Sequence, residues 1–367
     1  MKKTLISASV ATVLAAASFG ALADGPTLYG RLDLSVTHTD TGATLQTGTN
    51  GLDANYADEN NSGTYIENNF SHLGVKGSEK LTDGVDIIYQ MEFQVENTSG
   101  SSSKKDGDVF KARNTYLGAK TAYGTVLVGR NDTVFKQAEG GVDVFGNTNA
   151  DIDRLVGGQT RSADGFWYYS PKIADLITLN ATYLVDDNND DANKSDESQY
   201  ALSATIGDKK LKAQNYYAAI AYNKGISNID AYRAVGQVKL GDFKIGGLFQ
   251  NSEDVIKKDD NNTYFVNVVY NLNGVNLKAE YGYDEAGFGK YYKNVNTIGE
   301  DINGKAIVNT GSDIEVTSIT VGADYRISKS TLVFAHYAHY EGEHVLAGVK
   351  EDLQDDNVFT VGVRYDF

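Results

Sequence analysis

Apolar side chains fall on every second position over stretches too long for an ordinary sheet. Val85, Ile87, Tyr89, Met91, Phe93 and Val95 alternate with Asp86, Gln90, Glu92 and Gln94, which is the pattern of a strand with one apolar face. The same period runs through Leu28, Leu32, Leu34 and Val36, through Ile177, Leu179, Ala181, Tyr183 and Val185, and through Val275, Leu277, Ala279, Tyr281 and Tyr283. It is clearest at the end, where Phe359, Val361, Val363, Tyr365 and Phe367 share one face and Thr360, Gly362, Arg364 and Asp366 the other. A tilted membrane-crossing strand needs ~9–11 residues, whereas soluble strands cluster at ~5–6. Many of the 24 tyrosines fall near strand ends, where amphipathic rings favour the membrane–water interface. A soluble sandwich has no such need of tyrosine. The pattern therefore predicts an all-β fold, a transmembrane antiparallel β-barrel.

Connections alternate between short and long. Leu81–Gly84, Gly207–Lys210, Gly241-Asp242, Asn273-Gly274 and Ser328–Ser330 are tight, and Asn-Gly and Asp-Gly supply the positive φ angles of hairpin turns. Segments near 40–63, 97–108, 186–197, 251–262, 285–313 and 341–356 are long, polar and suited to water. Counting hairpins gives about sixteen strands, enough to enclose an aqueous channel lined by the polar residues of the alternation. One connection differs. Residues 131–160 mix charge with Val134, Phe135, Val142, Val144, Phe145, Ile152 and Leu155, too much apolar surface to stand in water. This loop is expected to fold inward against the wall.

Lys2 and Lys3, the apolar run Leu5 to Ala17 and Ala21-Leu22-Ala23 read as a signal peptide over residues 1–23. Residues 24–367 then form one barrel domain. No later run approaches the ~18 apolar residues of a membrane-spanning helix. The chain has two prolines and no cysteine, so thiolate metal sites and catalytic cysteines are excluded. Paired strands explain the few prolines. The net charge of −16 becomes −18 without the two leader lysines, and an acidic chain of this kind does not bind nucleic acid.

Catalytic motifs are absent: there is no G-x-S-x-G, H-E-x-x-H, Walker A or G-x-G-x-x-G opening a helix. No enzyme activity, cofactor or metal is expected. His336, His339 and His344 cluster in sequence, but His336 and His339 are an odd number apart and face opposite sides of a strand. The stretch Asp186 to Glu197 imitates a calcium loop, yet Asp191 stands where that loop needs glycine. A solvated acidic loop is the simpler reading. Electrostatics offers more. Arg31 and Arg113 lie on the polar phase of their strands, while Arg130, Arg154 and Arg161 bracket a loop that carries Asp132, Glu139, Asp143, Asp151 and Asp153. Opposed charges across a narrow aqueous passage make a transverse field that orients polar solutes and sets ion preference.

Leu28-Tyr29-Gly30-Arg31, Leu73-Gly74-Val75-Lys76-Gly77, Gly129-Arg130-Asn131 and the terminal Val361-Gly362-Val363-Arg364-Tyr365-Asp366-Phe367 resemble, in order and spacing, the general diffusion porins of Gram-negative bacteria. The likeness covers essentially the whole mature chain. It implies a homotrimer of sixteen-stranded barrels in the outer membrane, exported through the periplasm, in contact with outer-membrane lipid including lipopolysaccharide. It also implies that Phe367 is the signal read by barrel-assembly machinery, and that the third long loop narrows each pore. Arg31, Arg113 and Arg154 stand at basic positions of the family's wall, with Arg161 beside them, and Asp143 fits the loop acid. The chain departs from the pattern in two places. His72 occupies a wall position usually held by arginine, and Phe145-Gly146-Asn147 replaces the family's Pro-Glu-Phe-Gly-Gly turn. Glu139, Asp151 or Asp153 would then complete the acidic side.

The reading is a passive channel for ions and small hydrophilic solutes with mild cation preference. A substrate-specific channel, with which the aromatic loop bearing Tyr291 and Tyr292 is compatible, or a barrel-borne hydrolase would be the rivals. If His72 lines the constriction, conductance or selectivity varies between about pH 5 and 8, where histidine titrates. Single-channel records from the native protein that stay flat over that range, and match those of His72→Ala, would remove it from the pore.

Overall fold

The computed structural model describes residues 25–46, 61–96, 109–185, 198–256, 258–300 and 306–367. The leader (1–23) and the calcium-loop-like stretch (186–197) lie outside them. The strands are β1 (Thr27–Thr39), β2 (Gly63–Asn68), β3 (His72–Thr82), β4 (Val85–Val95), β5 (Phe110–Thr121), β6 (Gly124–Asp132), β7 (Arg161–Tyr169), β8 (Ile177–Leu184), β9 (Gln199–Gly207) and β10 (Tyr216–Lys224). There follow β11 (Ile229–Leu240), β12 (Phe243–Asp254), β13 (Asp260–Leu272), β14 (Val275–Asp284), β15 (Thr297–Glu300), β16 (Ala306–Val308), β17 (Ser312–Arg326), β18 (Thr331–Leu346), β19 (Val349–Asp352) and β20 (Asp356–Asp366).

Each strand pairs antiparallel with its neighbours, and β1 pairs with β20, closing the ring. β2 and β3 are two pieces of one crossing, both paired with β1 and interrupted at residues 69–71. β15 and β16 form a separate hairpin, and β19 only extends β18 at the rim. The wall is thus a closed barrel of 16 strands, as the hairpin count predicts. Closure matters because a strand edge in lipid leaves backbone groups with no partner.

The lipid side follows the period-two pattern. Leu32, Met91, Phe93, Leu179, Tyr183, Leu277, Tyr281, Val361 and Val363 are all exposed on the outer surface, and each belongs to an alternation read from sequence. The loops differ more. β12 and β13 run through most of 251–262, and 341–356 is largely a hairpin of β18 and β19 that stands above the wall. The connection from β10 to β11 is short, with Gly225 at φ 70°.

A hydrophobic core exists, and it lies inside the barrel. Trp167, Ala201, Tyr217, Ala219, Ala221, Ala231, Val235, Leu248 and Phe265 point inward and are buried against Val134, Phe135, Val142, Phe145, Ile152 and Leu155 of the loop 133–160. The inner face along β7–β13, where this loop docks, is therefore rich in apolar side chains, with Arg233, Gln237, Gln250 and Asn267 set among them. Each of the larger aliphatic and phenylalanine side chains contributes about 1.5–3 kcal/mol by leaving water.

The seam between the chain ends is also tight. Gly30 N donates to Phe367 O (2.9 Å) and Phe367 N to Gly30 O (3.1 Å). A Cβ on Gly30 would lie 2.4 Å from Cζ of the Phe367 ring. Gly30→Val is expected to push Phe367 off the seam and lower the yield of folded barrel, read as heat-modifiable mobility on a gel. Gly236→Ala, whose added Cβ meets nothing within 4 Å, should fold like the native chain.

Candidate pore constriction

The inward loop is held by the wall over most of the circumference. It leaves β6 through a one-turn helix, Val134–Gln137, capped by the Thr133 side chain. Tyr217 on β10 donates to Ala138 O (3.1 Å), Gln237 on β11 to Gly141 O (2.8 Å), Asn267 on β13 to Val142 O (2.6 Å) and Lys278 on β14 to Val144 O (2.8 Å). Its tip then reaches β18, β20, β1 and β2. Asn149 Nδ2 donates to Thr37 Oγ1 (3.0 Å), Glu67 Oε2 (2.7 Å) and Thr360 Oγ1 (2.8 Å), and its Oδ1 lies 2.6 Å from His336 Nε2. On the return, Gly157 O accepts from Arg233 (3.2 Å) and Gln250 (3.2 Å). Arg233 also caps the Phe135 ring at 4.1 Å.

The arc left uncovered runs from the start of β1, where Arg31 pairs in register with His72, across β3–β7, and Arg31, His72, Arg113 and Arg161 stand there. Arg113 Nε donates to Glu92 Oε1 (2.6 Å), and Tyr29 donates to Glu92 Oε2 (2.8 Å). His72 Nε2 lies 3.8 Å from the same carboxylate, and its Nδ1 is 2.9 Å from Phe70 O. Arg31 pairs with Asp366 (2.7 Å), Arg364 with Asp33, and Arg161 with Asp132 (3.2 Å) and Asn114. A bulge helps to crowd the arc. Met91 faces Thr115 but Phe93 faces Ala112, so β5 carries one extra residue. Arg113 and Asn114 then both reach lumenal partners, which strict alternation forbids.

Sequence reasoning brought Arg31, His72, Arg113 and Arg161 to this arc but passed over Glu92, which sits among them. The signal was available, since Glu92 lies on the polar phase of the longest alternation. Arg154 is placed elsewhere. It is buried inside the loop, donating to Thr44 O (3.0 Å) and Thr148 O (3.3 Å) and pairing with Asp153. A basic position matched by order along the chain is therefore a brace between loops, because the 3₁₀ turn Ile152–Arg154 directs it away from the passage.

The acids divide as well. Asp151 caps that turn, accepting from Asp153 N (2.9 Å) and Asn147 N (2.7 Å). Asp153 lies between Arg154 and Lys290, and against the effect of burial these two cations hold it below the usual carboxylate range. Glu139 and Asp143 instead line a cavity of about 310 Å³ with Lys278, Asp324, His336 and Arg364. Asp143 Oδ1 is buried with no hydrogen-bond partner among the described residues. Burial, then the charges of Asp151 and Glu139, raise Asp143 well above the usual range. Burial pushes Glu139 up to about 7.

The loop after β14 does not hang in water. Its helix Lys290–Val295 buries Tyr291 and Tyr292. Tyr291 stacks on Tyr340 at 5.3 Å and donates to Gln354 O (2.6 Å), and Tyr292 OH is 2.9 Å from His344 Nδ1. These rings are packed, not presented to a solute.

The loop tip yields a test. Asn149→Ala strips four partners from one buried point and leaves Glu67 with only Thr37 and the Gln46 backbone N–H as donors, a loss of about 1.5–3 kcal/mol for the contact to this carboxylate alone. The barrel should fold normally, while single-channel current becomes noisier and larger on average. Current traces indistinguishable from the native protein would show that this contact does not hold the loop.

Comparison with known proteins agrees with this architecture. Residues 10–345 match the model of the Gram-negative porins. Major outer membrane protein P.IB of Neisseria meningitidis serogroup A is 24% identical over 395 residues, covering 100% of both chains. P.IB of Neisseria sicca is 29% identical over 164 residues, 45% of this chain and 41% of that protein, so the chain spans about two fifths of that relative in the match. Among solved structures, the anion-selective porin from Comamonas acidovorans superposes with a TM-score of 0.64 at 16% identity, covering 94% of this chain and 100% of that one. OmpF of Salmonella typhi gives 0.64 at 14% identity, over 94% and 98%. The chain belongs to the Gram-negative porin family and is an outer-membrane β-barrel.

Proposed function

We propose that this barrel is a passive channel for ions and small hydrophilic solutes, narrowed by the loop 133–160 against the wall formed by the start of β1 and β3–β7. The observation that carries the reading is the division of the lumen. Apolar packing and wall hydrogen bonds fix the loop on one side, and the facing arc carries Arg31, His72, Arg113 and Arg161, each beside a carboxylate or hydrogen-bonding partner. Charges of both signs along an aqueous passage favour polar solutes over apolar ones.

Mild cation preference fits the charge balance. The wall cations are neutralised by Asp33, Glu92, Asp132 and Asp366, whereas Glu139 and Asp143 share their cavity with two basic side chains and a third acid, Asp324. The whole chain carries −16. The chain would assemble as a homotrimer, in keeping with its family and with OmpT of Vibrio cholerae, a fold neighbour recorded in a trimer form. A planar-bilayer recording tests all of this together. Conductance should close in three equal steps, and a KCl gradient should give a reversal potential of cationic sign. Unitary single steps or saturable block by one sugar or peptide would replace the reading with a monomeric or substrate-specific channel.

The sign of the pH effect follows from Glu139. Its acid is raised to about 7, so it is neutral in acid and gains charge as pH rises through that value. Cation preference should therefore increase from pH 5 to pH 8, and Glu139→Gln should flatten the increase. The His72→Ala variant separates the two contributions. A native reversal potential that does not move over this range would exclude Glu139 from the conduction path.

A further inference from the structure

The β18 histidines part company in the structure. His336 and His344 point inward and are buried, while His339 faces outward at the rim that carries the long connections. Beside it stand Glu341 on the same strand and Asp355 in the segment that leads into β20. One ligand atom from each of the three lies within 4.8 Å of the other two. His339 Nε2 is 3.4 Å from Glu341 Oε2.

The neighbouring hydrogen bonds fix which ring nitrogen carries the proton. Asn357 Nδ2 donates to Asp40 Oδ2 (2.8 Å), and a carboxylate can only accept. That sets the amide orientation, so Asn357 Oδ1 is an acceptor; it receives Tyr337 OH (2.6 Å) and stands 3.0 Å from His339 Nδ1. Nδ1 therefore carries hydrogen. Nε2 is then aimed at the Glu341 carboxylate, where either a proton or a metal cation can join the two. An imidazole whose second nitrogen is tied to a side-chain oxygen is also the arrangement that orients a metal-binding histidine.

We propose that His339, Glu341 and Asp355 bind one divalent transition-metal ion of the zinc class on the outer rim of the barrel. One nitrogen and two carboxylate oxygens, with water in the fourth position, make a tetrahedral set. Imidazole selects this class over magnesium and calcium, which favour all-oxygen sites. Bonds of about 2.0–2.2 Å require the exposed Glu341 and Asp355 to close in by roughly an ångström, which rotation of their side chains supplies. A shallow outward cavity of about 740 Å³ adjoins the site, with Asp40, Glu315, Glu343 and Asp352 in its lining. Its field concentrates cations there, and among the described residues the one basic side chain paired within that group is Lys350, on Glu343. The bound ion would tie β18 to the segment before β20, clamping the rim outside the conduction path.

The test uses the full-length folded protein in detergent, cleared of metal with a chelator and titrated calorimetrically with Zn²⁺. One saturable site per chain is expected, undisturbed by equimolar Mg²⁺. His339→Ala should weaken binding by at least tenfold, and Glu341→Gln should weaken it in the same direction. Asn357→Ala, which meets the ring at Nδ1 and none of the three ligand atoms, should cost between tenfold and a hundredfold. His38→Ala, on an exposed histidine of β1, should bind as the native chain does. Heat-modifiable mobility confirms that each variant is folded. Absence of saturable Zn²⁺ binding, equal binding by folded His339→Ala, or displacement by equimolar Mg²⁺ would overturn the proposal, the last by showing an unselective acidic surface.

Discussion

A β-strand in hydrocarbon has no water to satisfy its backbone, so every N–H and C=O must find a partner in another strand. The ring closes only because β1 meets β20 over nine register pairs, from Arg31 with Asp366 to Thr39 with Val358. Everything else in the molecule is arranged around that closure. Once the wall is continuous, side chains have two environments, lipid outside and an enclosed volume inside, and alternation sorts them between the two. The outer environment is uniform, and so the outer pattern is regular.

The inner environment is not uniform. Along β9–β11 the inward positions include Ala201, Ala219, Ala221 and Ala231, small enough for the one-turn helix at 134–137 to approach the wall. On the other side of the lumen the inward positions carry charge and cannot receive an apolar loop without loss of hydration. The loop's position is thus a consequence of which arc is apolar. The polar groups that the loop brings inside are met by wall side chains, as Asn149 is by Thr37, Glu67 and Thr360.

Much of this was legible before the structure. The strand positions of 85–95, 177–184, 275–284 and the C-terminus follow from a period of two imposed by lipid. The inward loop follows from Val134, Phe135, Val142 and Phe145 in a segment otherwise rich in charge. What was not legible depends on contacts between distant parts of the chain. Arg154 looks like any pore arginine until the turn at 152–154 aims it at Thr44 O. Asp151 and Asp153 look like lumenal acids until one caps a turn and the other meets Lys290. Tyr291 and Tyr292 look exposed until His344 and Gln354 cover them. The bulge at Arg113 and Asn114 leaves no mark in a local pattern, because it is defined by the register of β5 against β4.

The alanines beneath the helix also bear on exchange of parts between related channels. A constricting loop with a bulkier first turn could not seat on Ala219 and Ala221 by side-chain adjustment, since the backbone of the wall is fixed by its ladder. Loop and docking arc therefore constitute one transplantable module. A chimera that moves the loop alone should inherit neither donor's conductance, whereas one that carries β8–β11 with it should bring the donor's pore along.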